Sequence, residues 1–137
     1  MYLDQNCFIK KNVSKKEYLM HKLINSIDYI NSPKIIAYNE KKKILKMQKI
    51  NNMSVSDYYG EKEENVPELI FEKIRNTLNI LYNLGIIYPD VTGYNFIHSN
   101  NKLWIIDFEH SHFINKEPNE FIEKFLEGEN IWNEEFK

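Results

Sequence analysis

The chain has 137 residues, 42% hydrophobic and 28% charged, with 18 basic against 20 acidic side chains and a net charge of -2. That length suits one domain with one sizeable core, and the apolar content excludes disorder over the whole chain. The charge balance argues against a generic nucleic-acid binder, the single cysteine (Cys7) excludes an intramolecular disulfide or cysteine zinc cage, and no apolar run is long enough to span a bilayer.

Residues 6–11 read as a short strand. Ser14 followed by Glu17 is a capping box that opens a helix over 15–27, with Leu19, Leu23 and Ile27 on its apolar face. Pro33 breaks the chain. Residues 34–38 and 43–50 read as two strands joined by the turn Asn39-Glu40-Lys41-Lys42. Residues 51–66 are polar, with a short helical turn near Ser54–Tyr59. Pro67 fits the first position of a long helix, Ile70, Phe71, Ile74, Leu78, Leu81 and Tyr82 form its buried stripe, and Gly85 stops it. After Ile86-Ile87-Tyr88 comes a loop over 89–94. A hairpin follows, with strands at 95–98 and 103–108 and a turn at Ser99-Asn100-Asn101-Lys102. A last helix starts near Pro118, packs through Phe121, Ile122, Phe125 and Leu126, and ends at Gly128; Trp132 and Phe136 pin the tail.

The chemistry concentrates in two runs: Tyr88-Pro89-Asp90-Val91-Thr92-Gly93-Tyr94-Asn95 and Leu103-Trp104-Ile105-Ile106-Asp107-Phe108-Glu109. A carboxylate sits in a loop after a helix, an amide follows five residues later at the start of a hairpin, and a second carboxylate closes the return strand. This spacing gathers three oxygen-bearing side chains at one end of a small sheet. Phosphoryl transfer asks a protein mainly to position groups and manage charge, and hard oxygen ligands suit magnesium.

On these residues the sequence resembles the protein-kinase-like superfamily. Asp90 matches the catalytic-loop Asp, Asn95 the metal-binding Asn, and Asp107 the Asp of Asp-Phe-Gly. The loop from Asp90 to Asn95, with Thr two residues after the Asp, resembles RIO kinases and the kinase of the tRNA threonylcarbamoyl complex. Asp107-Phe108-Glu109 resembles choline and aminoglycoside kinases. Cys7-Phe8-Ile9-Lys10 resembles the strand that carries the nucleotide lysine, so Lys10 would contact phosphates and Glu17 would be its ion-pair partner; Lys11 is the competing lysine. In the same register Met47 is the gatekeeper, and Gln48, Lys49 and Ile50 would face adenine. The resemblance implies ATP and Mg2+ as cofactors, with Asn95 and Asp107 as metal ligands. It covers about residues 6–110.

The departures are specific. Too little chain precedes Lys10 for the two strands and Gly-rich loop that cover the phosphates, the usual catalytic-loop His is Tyr88, and little chain after Phe113 remains for the large helical subdomain. The expected architecture is therefore α+β, a minimal two-lobed kinase-like fold within one domain over 1–137. Residues 1–50 would form a reduced N-lobe with its hinge, and 51–137 a reduced C-lobe.

Two functions follow as expectations. One is a minimal atypical kinase moving the ATP γ-phosphate to a hydroxyl, preferably a protein Ser or Thr. The other is a weakly active or inactive kinase-derived module that binds a protein partner. Truncation would also leave a bare sheet edge near residues 1–12, a place for a partner or a second copy. The absence of a signal-peptide pattern places the expected location in the cytoplasm, a host's if the chain is viral. Thr92 serves equally as a backbone-bonding loop residue or a substrate contact. Glu109-His110-Ser111-His112 has too few ligands for a metal and reads as exposed. Cys7 reads as a small packed residue, and the runs Lys41–Lys43 and Glu61–Glu64 as solvated.

Overall fold

The computed structural model describes residues 7–115 and 119–136. Strand β1 (Cys7–Lys10) is followed by helix α1 (Lys15–Asn25), then β2 (Ile35–Asn39) and β3 (Ile44–Gln48). The three strands form an antiparallel sheet in the order β1-β3-β2, with Cys7 opposite Gln48 and Lys10 opposite Leu45. The first predicted strand began at Asn6, which lies outside the described residues. One face of the sheet buries Val13, Leu45 and Met47 under Tyr18, Ile35 and Tyr38. Tyr18 and Tyr38 stack at 4.3 Å, and the Tyr38 hydroxyl donates to the Val13 carbonyl at 2.7 Å.

The Ser14 hydroxyl accepts from the Glu17 amide at 3.1 Å and starts α1 as expected. The packing face differs from the expected one. Leu19 and Leu23 are about half exposed, whereas Glu17, Met20, His21 and Ile24 are buried. Those four recur at helical spacing and form the stripe beside it; the sheet pairs Glu17 with Lys10, which turns the leucine stripe outward. The helix also stops at Asn25, two residues early. Asn25 bonds the Ile35 amide at 2.9 Å and the Pro33 carbonyl at 3.0 Å, and so ties α1 to the start of β2.

A short helix α2 (Val55–Tyr59) leads through a 3-10 turn at Glu63–Asn65 to the long helix α3 (Glu68–Asn83). Pro67 is the residue before its first turn. The predicted stripe of α3 is buried except for Tyr82, which is only partly covered. Strand β4 (Ile86–Ile87) pairs with β7 (His112–Phe113), a pairing the sequence reading did not foresee. Strands β5 (Phe96–Ser99) and β6 (Lys102–Ile105) form the expected hairpin, Phe96 facing Ile105. Its turn residues Asn100 and Asn101 both have positive φ, 52° and 61°, the mirror-image turn that suits twisted strands and tolerates Asn.

Helix α4 (Glu120–Glu127) is capped by Asn119; Pro118, where the helix was expected to begin, lies outside the described residues. Helix α3, α4, the hairpin and the inner face of α1 share one large core. Trp132 joins it at 1% exposure, its ring 4.8 Å from Phe71.

Trp132 thus fastens the tail to the helical core. We expect Trp132→Ala to cost about 3–5 kcal/mol of unfolding free energy, as large-to-small changes of buried aromatics do, measured by urea denaturation.

Candidate active site

The loop between β4 and β5 is built almost wholly from backbone hydrogen bonds. The Val91 and Thr92 amides reach back to the Pro89 and Asp90 carbonyls at 2.7 and 2.9 Å, and the Asn95 amide to Thr92 at 3.1 Å. The Asn95 side-chain amide donates to the Asp90 carbonyl at 2.9 Å. Its carbonyl oxygen is thereby left on the other side, and Asn95 lines the large cleft described below. From the tail, Asn133 donates its amide to Val91 and its side chain to Pro89, both at 2.8 Å. Gly93 is needed for close approach: a Cβ there would stand 1.9 Å from the Ser56 hydroxyl oxygen.

Asp90 is buried, at 4% exposure. Burial pushes its carboxyl above the usual range, while a hydrogen bond from His110 pulls it back. The Oδ2 atom meets His110 Nδ1 at 2.7 Å, and Oδ1 is enclosed with no partner among the described residues.

Asp107 leaves β6 with φ 65°, a left-handed conformation that Asp tolerates better than most residues. The preceding carbonyl, Ile106, accepts from the Tyr88 hydroxyl at 2.5 Å, and the Ile106 amide donates to the Asn95 carbonyl at 3.0 Å. Tyr88, in the place where kinases carry His, is therefore a buried strut between the loop and the hairpin. Burial, then the Asp107 and Asp90 charges, push its hydroxyl far up, so it stays a donor. Phe108 packs between Tyr88 at 6.0 Å and His21 of α1 at 4.7 Å. Burial lowers the His21 pKa, and because a carbonyl can only accept, Nε2 donates to the Pro33 carbonyl at 2.7 Å.

Across the cleft, Lys10 Nζ lies 2.6 Å from Glu17 Oε2 and 3.2 Å from Asp107 Oδ1. Burial works against its charge, but the Glu17 hydrogen bond and the Asp107 charge outweigh that and raise its pKa. Lys11 lies beyond the strand and is exposed. The structure thus puts Lys10, and not Lys11, beside Glu17 and Asp107.

Lys10, Asn95 and Asp107 line a cleft of about 430 Å³, within the range of small-molecule sites. Its other walls are Phe8, Pro33, Met47, Gln48, Lys49, Ile50, Ile97 and Ile106. Met47, expected as the gatekeeper, and Gln48, Lys49 and Ile50, expected to face adenine, all line this cleft. Phe8, Pro33, Ile97 and Ile106 were missed, because each comes from a separate element and no spacing joins them. The Gln48 amide and side-chain oxygen bond Lys34, which fixes the edge of this wall. A smaller hollow of about 230 Å³ lies beside the loop, lined by Ser56, Thr92, Gly93, Tyr94 and Trp132 among others. Cys7 is half-buried on β1.

The arrangement fits a nucleotide and one hard cation. It offers a mostly apolar slot, an ammonium, and one carboxylate with one amide oxygen. Magnesium takes that kind of partial protein shell, completing it with phosphates and water. Among the described residues no cluster of three or more His, Cys, Asp or Glu side chains exists to hold a metal unaided.

Three similarities bear on this site. A family model described as RIO domain matches residues 5–128. The EKC/KEOPS complex subunit BUD32 of Enterocytozoon bieneusi (strain H348) is 26% identical over 165 residues, an alignment that takes in 99% of this chain and 80% of that protein. The solved structure of the Cydia pomonella granulovirus kinase, PK-1, superposes with a TM-score of 0.56 at 22% identity, over 79% of this chain and 43% of the viral one. The chain thus spans less than half the length of the viral kinase, and that likeness is one of fold.

The contact at Gly93 is open to direct test. Gly93→Ala should destabilise the protein by about 1–3 kcal/mol, the usual cost of overpacking. Ser56→Gly in the same chain should recover part of that loss, read as paired urea midpoints.

Proposed function

The chain belongs to the RIO domain family of protein-kinase-like proteins, and from that premise we propose that it transfers the γ-phosphoryl group of ATP to a protein Ser or Thr hydroxyl with magnesium. An atypical kinase is what the family relationship supports. The finer reading rests on one observation: Asp90, Asn95, Asp107 and Lys10, from three separate stretches of chain, converge around one cleft and the loop beside it.

Each residue has a role that its surroundings suit. The slot between Phe8, Met47, Ile97 and Ile106 takes the adenine, with Gln48 and Ile50 at its edge. Lys10, held by Glu17, contacts phosphate oxygens. Asn95 and Asp107 are the residues that would hold magnesium, which supplies neutralisation of the phosphate charge. Asp90 orients the acceptor hydroxyl and takes its proton as the new O–P bond forms and the bond to the leaving diphosphate breaks. Burial raises the basicity of its carboxylate, as that task requires.

A second reading has its own observation. Among the described residues β1 pairs only with β3, and Phe8 and Ile9 on it are about half exposed. Exposed apolar side chains on such a strand suit a protein partner or a second copy of the chain. The similarity to a complex subunit supports such a partner for this chain too. Under this reading the protein is a kinase-derived binding module, with nucleotide at most a structural ligand.

Thermal denaturation with ATP and magnesium tests the nucleotide site. A ligand present at 100 times its Kd stabilises the native state by about 2.7 kcal/mol. We expect a magnesium-dependent rise in Tm that Asp107→Asn abolishes, Asn being tolerant of the same left-handed φ. No shift at millimolar ATP would leave only the binding module.

Asp90→Ala should lower phosphotransfer by about 100-fold or more, the worth of a general base, while nucleotide affinity stays nearly constant. Labelled ATP with a degenerate Ser/Thr peptide mixture supplies the rate, and calorimetry the affinity. Equal losses in both would make Asp90 a structural residue of the loop.

A further inference from the structure

The sequence around residues 109–112 suggested only an exposed segment, yet the fold turns one of its side chains onto the reactive carboxylate. The turn Phe108–Ser111, closed by the Ser111 amide on the Phe108 carbonyl at 3.2 Å, carries His110 back over the catalytic loop. There His110 Nδ1 lies 2.7 Å from Asp90 Oδ2. The other face of the ring meets Phe136 of the tail, centroid to centroid 4.9 Å. Strand β7, which follows at once, anchors the segment against β4. His110 is thus held by a carboxylate, an aromatic ring and a paired strand, although its side chain keeps 46% exposure.

The two oxygens of Asp90 are thereby made unequal. One is engaged by the imidazole. The other is enclosed and has no partner among the described residues. A general base needs one oxygen aimed at the acceptor, and a carboxylate free to rotate about its terminal torsion would spend much of its time misdirected. We propose that His110 is a positioning residue for Asp90: its Nδ1–H donates to Oδ2 and fixes the rotation of the carboxylate, so that Oδ2, and not the enclosed Oδ1, is the oxygen an acceptor hydroxyl approaches beside the ring. This role rests on the phosphotransfer reading above.

The electrostatic setting agrees with the geometry. The Asp90 hydrogen bond raises the His110 pKa, with Asp90, Glu109 and Asp107 adding their charges; the tail contributes the Phe136 ring at this face. Because a carboxylate can only accept, the facing nitrogen must carry the proton in either charge state of the ring. That is a specific signature, since a neutral imidazole chooses its tautomer by the hydrogen bond it makes.

Two measurements on the full chain test this. With labelled magnesium-ATP and the degenerate Ser/Thr peptide mixture, His110→Ala should lower kcat by about ten- to a hundredfold, the scale of misplaced reacting groups, with magnesium-ATP affinity unchanged. His110→Asn, which keeps a side-chain N–H near the same place, should restore most of the rate. Nitrogen-15 NMR of the imidazoles should show His110 protonated at Nδ1 at a pH where the ring is neutral, and Asp90→Ala should release that tautomer. An unchanged kcat in His110→Ala, an equal loss of nucleotide affinity, or a neutral ring protonated at Nε2 would each overturn the proposal. Wild-type protein that shows the Nδ1–H signal and binds magnesium-ATP but transfers to no acceptor would refute the phosphotransfer reading itself, and the positioning role with it. That result is distinct from the other three.

Discussion

One ammonium group sets the relation between the small sheet and the rest of the molecule. Lys10 on β1 reaches Glu17 on α1 and Asp107 at the end of β6, at 2.6 and 3.2 Å. Glu17 is almost fully buried, and burial pushes its carboxyl up against the pull of Lys10. A buried carboxylate without its cation is costly, about 3–5 kcal/mol when one partner of such a pair is removed. The contact therefore constrains three elements at once. It fixes which stripe of α1 faces inward, which lysine of the Lys10-Lys11 pair enters the cleft, and where Asp107 must point.

The loop from Pro89 to Asn95 adds its own rigidity. Its backbone groups are matched locally or by Asn95, Ile106 and Asn133, so a segment without regular secondary structure can still be buried. Tyr88 carries the same order across to the hairpin through the Ile106 carbonyl. The aromatic contacts from Phe96 through Tyr88 and Phe108 to His21 then link the hairpin to α1, the helix that carries Glu17. The electrostatic contact and the aromatic stack thus both join α1 to the hairpin.

The family match spans both parts of the site. A phosphate group beside Lys10 would be bounded by β1, which among the described residues has a neighbour on one side only. The RIO domain match covers residues 5–128, which takes in both the sheet and the catalytic hairpin. The family relation accordingly extends over the three-stranded sheet as well as the loop with the acid and the amide.

The sequence by itself determined the elements whose signals are local. The Ser14 cap, the stripe of α3, the Asn100-Asn101 turn and the spacing from Asp90 to Asn95 to Asp107 all depend on near neighbours in the chain. Turn chemistry and helical periodicity act over a few residues, so they can be read without knowing the fold. What only the tertiary structure decided are the choices between equivalent local patterns and the contacts between distant ones. Two apolar stripes competed on α1, and the buried Glu17 chose the one without Leu19 and Leu23. Lys10 and Lys11 were separated by where β1 ends and by the carboxylates that Lys10 meets across the cleft. Phe8, Pro33, Ile97 and Ile106 became one wall because the sheet folds over the hairpin. His110 met Asp90 because β7 pairs back onto β4, a contact between segments 25 residues apart that no short-range pattern encodes.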